Sequence, residues 1–494
     1  MRTGLMQAGR RVLLAHSYFL AHDEKQTRKM KPYPPLATLL AAALLRKTGR
    51  EVHLFDAMLS PGEEEFERTL RAVRPDVVAL LEDNFNFLTK MCTTRMREAA
   101  VRMIGMAKSA GCFVAVNGSD MSDHPEIYLA AGADAVILGE TELTLPELLD
   151  GLASEDHRDL PGIAGLALSG PSGTLSRTAR RPFVEGLDAL PLPAWDLVDA
   201  ARYRKAWIGA HGRFSWNVVT TRGCPFRCNW CAKPLYGTRY AQRSPGAVAD
   251  ELVALRRAVN PDHVWFADDI FGLTPSWIES FAGEMALRGI RVPFTMQSRV
   301  DLMTPSAVQA LAASGCEEVW LGVESGSQRI LDAMDKGTRV EQVRRATRLL
   351  RLHGIRAAWF LQLGYPGEEW KDLLATRELL RSERPDDIGV SVAYPLPGTL
   401  FHERVKAQLT AQTNWKNTDD LAMLFEGTYS SNFYRQVRDL LHAEAFAFKA
   451  PRSDLTSAGI DAAWTDLGRQ ESADRERRGG RGEDDGLRVA AGGS

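Results

Sequence analysis

The sequence predicts an α/β protein: an open, mostly parallel sheet at the N-terminal end, then a partial β/α barrel, then a small, mainly helical C-terminal region. Two observations carry this. Short aliphatic runs alternate with helical patterns twice along the chain, over residues 11–150 and again over 211–400. Between the two series, 151–210 is richer in Gly, Pro and charge, with Leu190-Pro191-Leu192-Pro193 as a rigid connector, which reads as a linker that also packs between domains. The length of 494 residues and an apolar fraction of 45% suit a multidomain globular chain. With 61 basic and 63 acidic side chains the net charge is -2, so no global field favours nucleic acid or an anionic membrane.

In the first series, strands are expected at 11–15, 51–56, 76–81, 112–117 and 133–138, with helices at 35–48, 63–73, 95–110, 125–131 and 143–152. Runs such as Val77-Val78-Ala79-Leu80-Leu81 lack polar alternation, as strands buried on both faces do. Ligands of such a sheet lie beyond the strand C-termini, where the chain carries Asp56, Glu82-Asp83-Asn84, Asn117-Gly118-Ser119 and Gly139-Glu140. No Gly-x-Gly-x-x-Gly follows the first strand, which argues against a dinucleotide fingerprint. His16 and His22 also follow that strand, where a loop histidine is more often a packing residue than a ligand.

The second series has strands at 214–220, 263–267, 292–296, 318–322, 356–362 and 387–392, separated by helices, and its active site is expected at the C-terminal strand ends. Residues 401–465 read as a lid or accessory region. From 466 to 494 apolar anchors run out, and the tail is expected to be disordered. The N-terminus lacks a signal-peptide pattern, and the apolar stretch Leu36–Leu45 ends at Arg46-Lys47, too short to span a bilayer. The expected location is the cytoplasm, without stable membrane insertion.

Of six cysteines, three fall in Cys224-Pro225-Phe226-Arg227-Cys228-Asn229-Trp230-Cys231, just after the second unit's first strand. Thiolates at this spacing are a soft-metal ligand set on a tight loop, for which Gly223 and Pro225 are suited. A zinc site would want a fourth ligand in a familiar spacing, and none lies nearby. Cys92, Cys112 and Cys316 match no ligand position and read as structural.

The spacing Cys224-x3-Cys228-x2-Cys231, with Trp230 before the last cysteine, resembles the signature of the radical S-adenosylmethionine (SAM) superfamily. The resemblance implies that Cys224, Cys228 and Cys231 hold a [4Fe-4S] cluster whose fourth iron binds SAM, and that Trp230 packs near the adenine. It further implies SAM contacts from Asp268 and Asp269, Arg299, Glu324 and Ser325, and the Gly364-Tyr365-Pro366-Gly367-Glu368 turn. In the first unit, Tyr33-Pro34-Pro35, Gly49-x-Glu51-Val52 through Asp56, Asn117-Gly118-Ser119, His124-Pro125-Glu126 and Gly139-Glu140-Thr141-Glu142 resemble the cobalamin-binding domain of cobalamin-dependent radical SAM enzymes. That group includes the anaerobic magnesium-protoporphyrin monomethyl ester cyclase and C- and P-methyltransferases. Two departures stand out. No Asp-x-His-x-x-Gly supplies a histidine to cobalt, an absence common in this class, and the usual Ser-x-Leu is replaced by the more polar Leu80-Leu81-Glu82-Asp83-Asn84. A scaffold domain without a corrin is the competing reading.

The implied activity is methyl transfer to an unactivated carbon or phosphorus of a small molecule through a 5'-deoxyadenosyl radical. The alternative is a radical cyclisation or rearrangement without net methylation. The implied partner is an external one-electron reductant such as a flavodoxin or ferredoxin. A tRNA methylthiotransferase would want further N-terminal cluster cysteines and a basic RNA-binding module, so nucleic acid is not an expected partner.

Overall fold

The computed structural model describes residues 11–153, 157–170, 173–231, 235–449 and 457–488. Strands β1 (Arg11–Ala15), β2 (Glu51–Phe55), β3 (Val77–Leu81), β4 (Phe113–Asn117) and β5 (Ala135–Ile137) pair in the order β2-β1-β3-β4-β5, all parallel. The order reverses between β1 and β3, which opens a crevice at the C-terminal ends of those two strands. Alternate residues feed two cores: Leu13, Val78, Leu80 and Val114 pack under one helical layer, and Val12, Leu14, Val77 and Ala79 under the other. Burial on both faces is why these strands read as unbroken aliphatic runs.

The segment 151–210, expected to be a linker, extends this sheet. Strands β6 (Leu166–Ser169) and β7 (Leu175–Arg177) add to its β5 edge in antiparallel fashion. The helix Ala200–His211 then packs between the sheets, Trp207 donating from Nε1 to the Pro32 carbonyl at 2.6 Å.

The second sheet is formed by β8 (Ser215–Val218), β11 (His263–Phe266), β12 (Phe294–Ser298), β13 (Cys316–Glu324), β14 (Arg356–Leu363) and β15 (Asp387–Val392), each parallel to the one before it in this series. Strands β9 (Thr221–Arg222) and β10 (Ala241–Gln242) form a separate antiparallel clip. The outer helices start where the sequence says they should: Ser244, Thr274 and Thr304 cap helices opening on Pro245, Pro275 and Pro305. Val264, Phe266, Met296, Val319, Leu321, Trp359 and Leu361 point at those helices. Strand alternation therefore turns Trp265, Gln297, Trp320, Gly322, Phe360 and Gln362 to the concave side. The sheet curls into a half-barrel.

The C-terminal region straps the two sheets together. Asn414 donates to the Cys92 carbonyl at 2.7 Å, Thr94 N–H donates to the Trp415 carbonyl at 2.8 Å, and Thr418 bonds Asp23 at 2.9 Å. The last helix runs Ser457–Arg488, across most of the segment expected to be disordered. Ile460 and Trp464, just before that segment, and Leu467 and Glu471 at its start are buried at helical spacing and anchor the first turns of this helix. The remainder of the tail, 489–494, lies outside the described residues. Among the described residues no helix is long and apolar enough to cross a membrane.

Candidate active site at the facing strand ends

The cysteine loop grows from the end of β8 and is fastened at its stem. Asp268, just past β11, accepts from the Thr220 and Thr221 amides at 2.7 Å each and from both threonine hydroxyls. Burial pushes its carboxyl up to about 6, which those hydrogen bonds oppose. The β9–β10 clip then closes the loop. Gly223, at φ +73°, crosses the returning strand so closely that a Cβ would lie 2.0 Å from the Arg239 carbonyl oxygen. Only glycine fits there.

Cys224, Cys228 and Cys231 follow as half-buried thiols outside any disulfide. Between them, buried Asn229 acts as a strut through both its side chain and its backbone. Its Nδ2 donates to the Ala333 carbonyl and to Asp335, its Oδ1 accepts from Tyr365 Oη at 2.7 Å, and its backbone bonds Met334 and Phe401. Arg299 lies beside the loop, 6% exposed, with Nη1 3.7 Å from Cys228 Sγ and its guanidinium 3.7 Å over the Phe226 ring. Lys336, equally buried, pairs with Glu324 at 2.7 Å and stands 6.0 Å over Trp230. Burial lowers the Lys336 pKa, but Glu324 and Cys228 outweigh it and leave the ammonium raised. Glu324 has φ +64°, strained for a non-glycine residue, and follows a register shift in β13. Gly322 makes the Lys336–Glu324 pair possible, since a Cβ there would lie 2.7 Å from Lys336 Nζ.

This donor set suits an anionic iron–sulfur cluster: three thiols on one pinned loop with two buried cations alongside. The Trp230 Nε1 and Gln362 Oε1 atoms, buried and without partners, supply unmet polar groups for a ligand on the same edge.

Other residues expected at the cofactor are held by protein neighbours. Ser325 accepts from the Ser327 amide, and Gly326 is packed against the helix Trp370–Glu383, where a Cβ would come within 2.5 Å of the Ala375 carbonyl oxygen. Gly364, at φ +77°, donates to Glu368 at 2.6 Å, and Pro366 sits in the turn closed by the Glu368 N–H to Tyr365 carbonyl bond. Glu368 is fully buried and pushed up to about 8 by burial, with Oε1 unpartnered. Asp269 does not face the cysteines freely. It pairs with Lys90 of the first unit at 2.6 Å.

That pair belongs to a junction in which the C-terminal edges of the two sheets face each other. Phe85 stacks on Tyr236 at 5.6 Å, and Glu140, expected on the ligand side of the first sheet, instead pairs with Arg222 at 2.5 Å. On the first edge, Asp56 accepts from Tyr203 Oη at 2.8 Å and bonds His16 Nε2 at 3.0 Å. Burial lowers the His16 pKa, but Asp56, Glu82 and Asp83 leave it raised. Asn117 donates to the Ile137 and Gly139 carbonyls at 2.9 Å and accepts from Asn84. Gly118 lets Glu82 lie close, its Cβ position being 2.9 Å from Glu82 Cγ. His16 Nδ1, Asp83 Oδ2, Asn84 Oδ1 and Ser119 Oγ are buried and unpartnered, all at the ends of β1, β3 and β4. A polar ligand at the β1/β3 crevice fits these unmet groups. His22 faces Arg95, 3.1 Å away, outside this group. A cavity of about 460 Å³ flanks the end of β2, lined by Phe55, Asp56, Arg68, Arg202 and Tyr203 among others.

Cys92, Cys112 and Cys316 are buried away from the loop, and burial raises each thiol.

The two units match two known families. Residues 218–380 match the radical SAM superfamily, and residues 31–149 match the B12 binding domain. This chain is a radical SAM enzyme with a B12-binding domain. These families bring a [4Fe-4S] cluster, SAM and cobalamin as cofactors. The chain is 26% identical to an uncharacterized methyltransferase of Pyrococcus horikoshii, over 84% of this chain and 92% of that protein. It is 27% identical to the anaerobic magnesium-protoporphyrin IX monomethyl ester cyclase of Synechocystis, over 77% and 75%. It is 24% identical to the cytidylyl-2-hydroxyethylphosphonate methyltransferase of Streptomyces wedmorensis, over 75% and 78%. The fold is similar to that of the radical SAM methyltransferase TsrM from Kitasatospora setae, with a TM-score of 0.66 and 20% identity over 81% of this chain and 75% of that one.

The expectations from sequence missed Asn229, Lys336 and Arg222. Arg222 lies two residues before Cys224 and Asn229 between Cys228 and Cys231, so closeness to the motif was the available signal. Lys336 had none, since its partner Glu324 lies twelve positions before it across a turn and a helix.

Proposed function

We propose that this enzyme transfers a methyl group from SAM to an unactivated carbon or phosphorus of a small molecule. The observation that carries the reading is the facing pair of edges: a cysteine loop braced by buried cations on one side, and unmet polar groups at a sheet crevice on the other. Methyltransferases among the relatives support it. When bound, the cluster and SAM supply a 5'-deoxyadenosyl radical and cobalamin supplies the methyl group, chemistry that side chains do not provide.

The chain's own residues position and shield these groups. Cys224, Cys228 and Cys231 hold the cluster, with Arg299 donating towards Cys228 and Asn229 fixing the loop between the last two ligands. Trp230, Arg299, Glu324, Gly364 and Pro366 frame the SAM side. Asp268, Asp269 and Ser325 hold the framework behind it through their protein partners. Asp56, Asn117, Gly118, Ser119 and Gly139 frame the corrin side, where Glu140 joins the junction. The electron that a bound cluster needs would come from a one-electron donor outside this chain, such as a flavodoxin or ferredoxin.

The deciding experiment is anaerobic reconstitution with iron, sulfide and hydroxocobalamin, followed by reduction with methyl-deuterated SAM and a candidate substrate library. Methyl transfer is expected to give 5'-deoxyadenosine together with a product carrying the labelled methyl group. The cyclase relative supports a second reading, radical cyclisation. It requires 5'-deoxyadenosine with an unlabelled product. No 5'-deoxyadenosine under any of these conditions would defeat both.

A further inference from the structure

Arg222 stands where the two edges meet and belongs to both. Its backbone is the stem of the cysteine loop, paired with Ala241 across the β9–β10 clip, two residues before Cys224. Its side chain, 5% exposed, reaches into the first unit. There Nη1 meets Glu140 and Nη2 meets Glu142, both at 2.5 Å. Phe85 and Tyr236 lie under the guanidinium at 5.8 and 5.6 Å. The segment bearing both carboxylates is tied in turn to the ligand edge, because Asn117 donates to the Gly139 carbonyl and accepts from Asn84. Glu140 also accepts from the Val184 amide, which fixes its second oxygen.

A single buried guanidinium thus joins the root of the cysteine loop to the strand end beside the crevice of the first sheet. Two carboxylates against one arginine make a directional fork that lysine cannot reproduce. We infer that Arg222 is a positioning residue that couples the B12-binding edge to the cysteine loop, so that filling the crevice steadies the loop. The inference rests on cobalamin being the crevice ligand. It assigns the path Asn117, Gly139, Glu140 and Glu142, Arg222, Gly223 as the connection.

The test is hydrogen exchange on the full-length, cluster-loaded protein under anaerobic conditions, with and without hydroxocobalamin. In the wild type, hydroxocobalamin is expected to slow exchange at 113–142 and also in the loop peptide 223–231. In Arg222→Lys and Glu142→Gln, protection at 113–142 is expected to persist while the added protection at 223–231 is lost. Glu142→Gln keeps the side-chain shape and serves if the arginine variant fails to fold. Lys90→Met, which breaks the separate Lys90–Asp269 contact, is expected to keep the loop response. Equal loop protection in wild type and in the Arg222 and Glu142 variants would overturn the coupling. So would loss of the response in Lys90→Met, which would point to general docking of the two units. No loop response in wild type despite protection at 113–142 also overturns it. No protection at 113–142 in wild type defeats the cobalamin reading, and the coupling falls with it.

Discussion

At the C-terminal edge of the half-barrel, Asp268, Asn229, Arg299 and Glu324 have partners among their neighbours, and those partners are backbone amides, carbonyls and side chains around the cysteine loop. At the facing edge of the first sheet, His16, Asp83, Asn84 and Ser119 are as deeply buried, yet each keeps an atom without a partner. The first arrangement is a framework already assembled around a loop. The second carries an unpaid desolvation cost that a polar ligand would relieve. Damage to the barrel edge should therefore cost the loop, whereas the first edge should gain stability from its ligand.

The largest expected effect is on the loop itself. Changing Cys224, Cys228 or Cys231 to Ala should abolish the cluster's visible absorption and reductive SAM cleavage together, and retention of both in any one variant would remove that residue from the ligand set. On the barrel side Glu368, like Trp230 and Gln362, keeps one polar atom unmet. Its folded carboxyl stays protonated until about pH 8, while the unfolded one ionises near the ordinary 4.5. Its contribution is thus fully present below pH 4.5 and is lost as pH rises through 8, at up to about 1.4 kcal/mol per pH unit. Glu368→Gln should flatten that slope in denaturant melts taken from pH 5 to 8. An unchanged slope would mean the carboxyl is ionised in the folded protein.

Asn229→Ala should cost roughly 3 kcal/mol, since it leaves buried partners unsatisfied, and should lower the iron retained after desalting. Normal iron content in a stable variant would remove Asn229 from the loop's support. On the opposite edge, hydroxocobalamin at a hundred times its dissociation constant should stabilise the protein by about 2.7 kcal/mol, read as a rise in melting temperature. An unmoved melt would leave the unmet groups of that edge without their expected ligand. The smallest effect is expected from Lys90→Met. Its contact with Asp269 is partly exposed, the side chains being 19% and 29% accessible, and should be worth less than about 1 kcal/mol.

The two sheets were legible because their strands are continuous aliphatic runs buried on both faces or backed by helices, a local pattern. Strands β6 and β7 were not. All three residues of β7 are exposed, and β6, although Leu166, Ala167 and Leu168 are buried, is only four residues long inside a Gly- and Pro-rich segment, too short a run to stand out from a linker. Asp268 was legible as a strand-end carboxylate, but its neighbours Thr220 and Thr221 lie where the chain passes from β8 into β9, 48 and 47 positions away. Only the folded sheet shows that it braces the loop stem.

The spacing of Cys224, Cys228 and Cys231 was enough to propose the ligand loop, because three thiols and a turn-forming glycine within a short stretch constrain each other directly along the chain. The tertiary structure decided what stands around that loop. Asn229 finds its acceptor 104 positions away, and Arg222 finds Glu142 at 80. Charges become worth burying only beside a partner of opposite sign, and that proximity exists only after the two sheets have closed edge to edge.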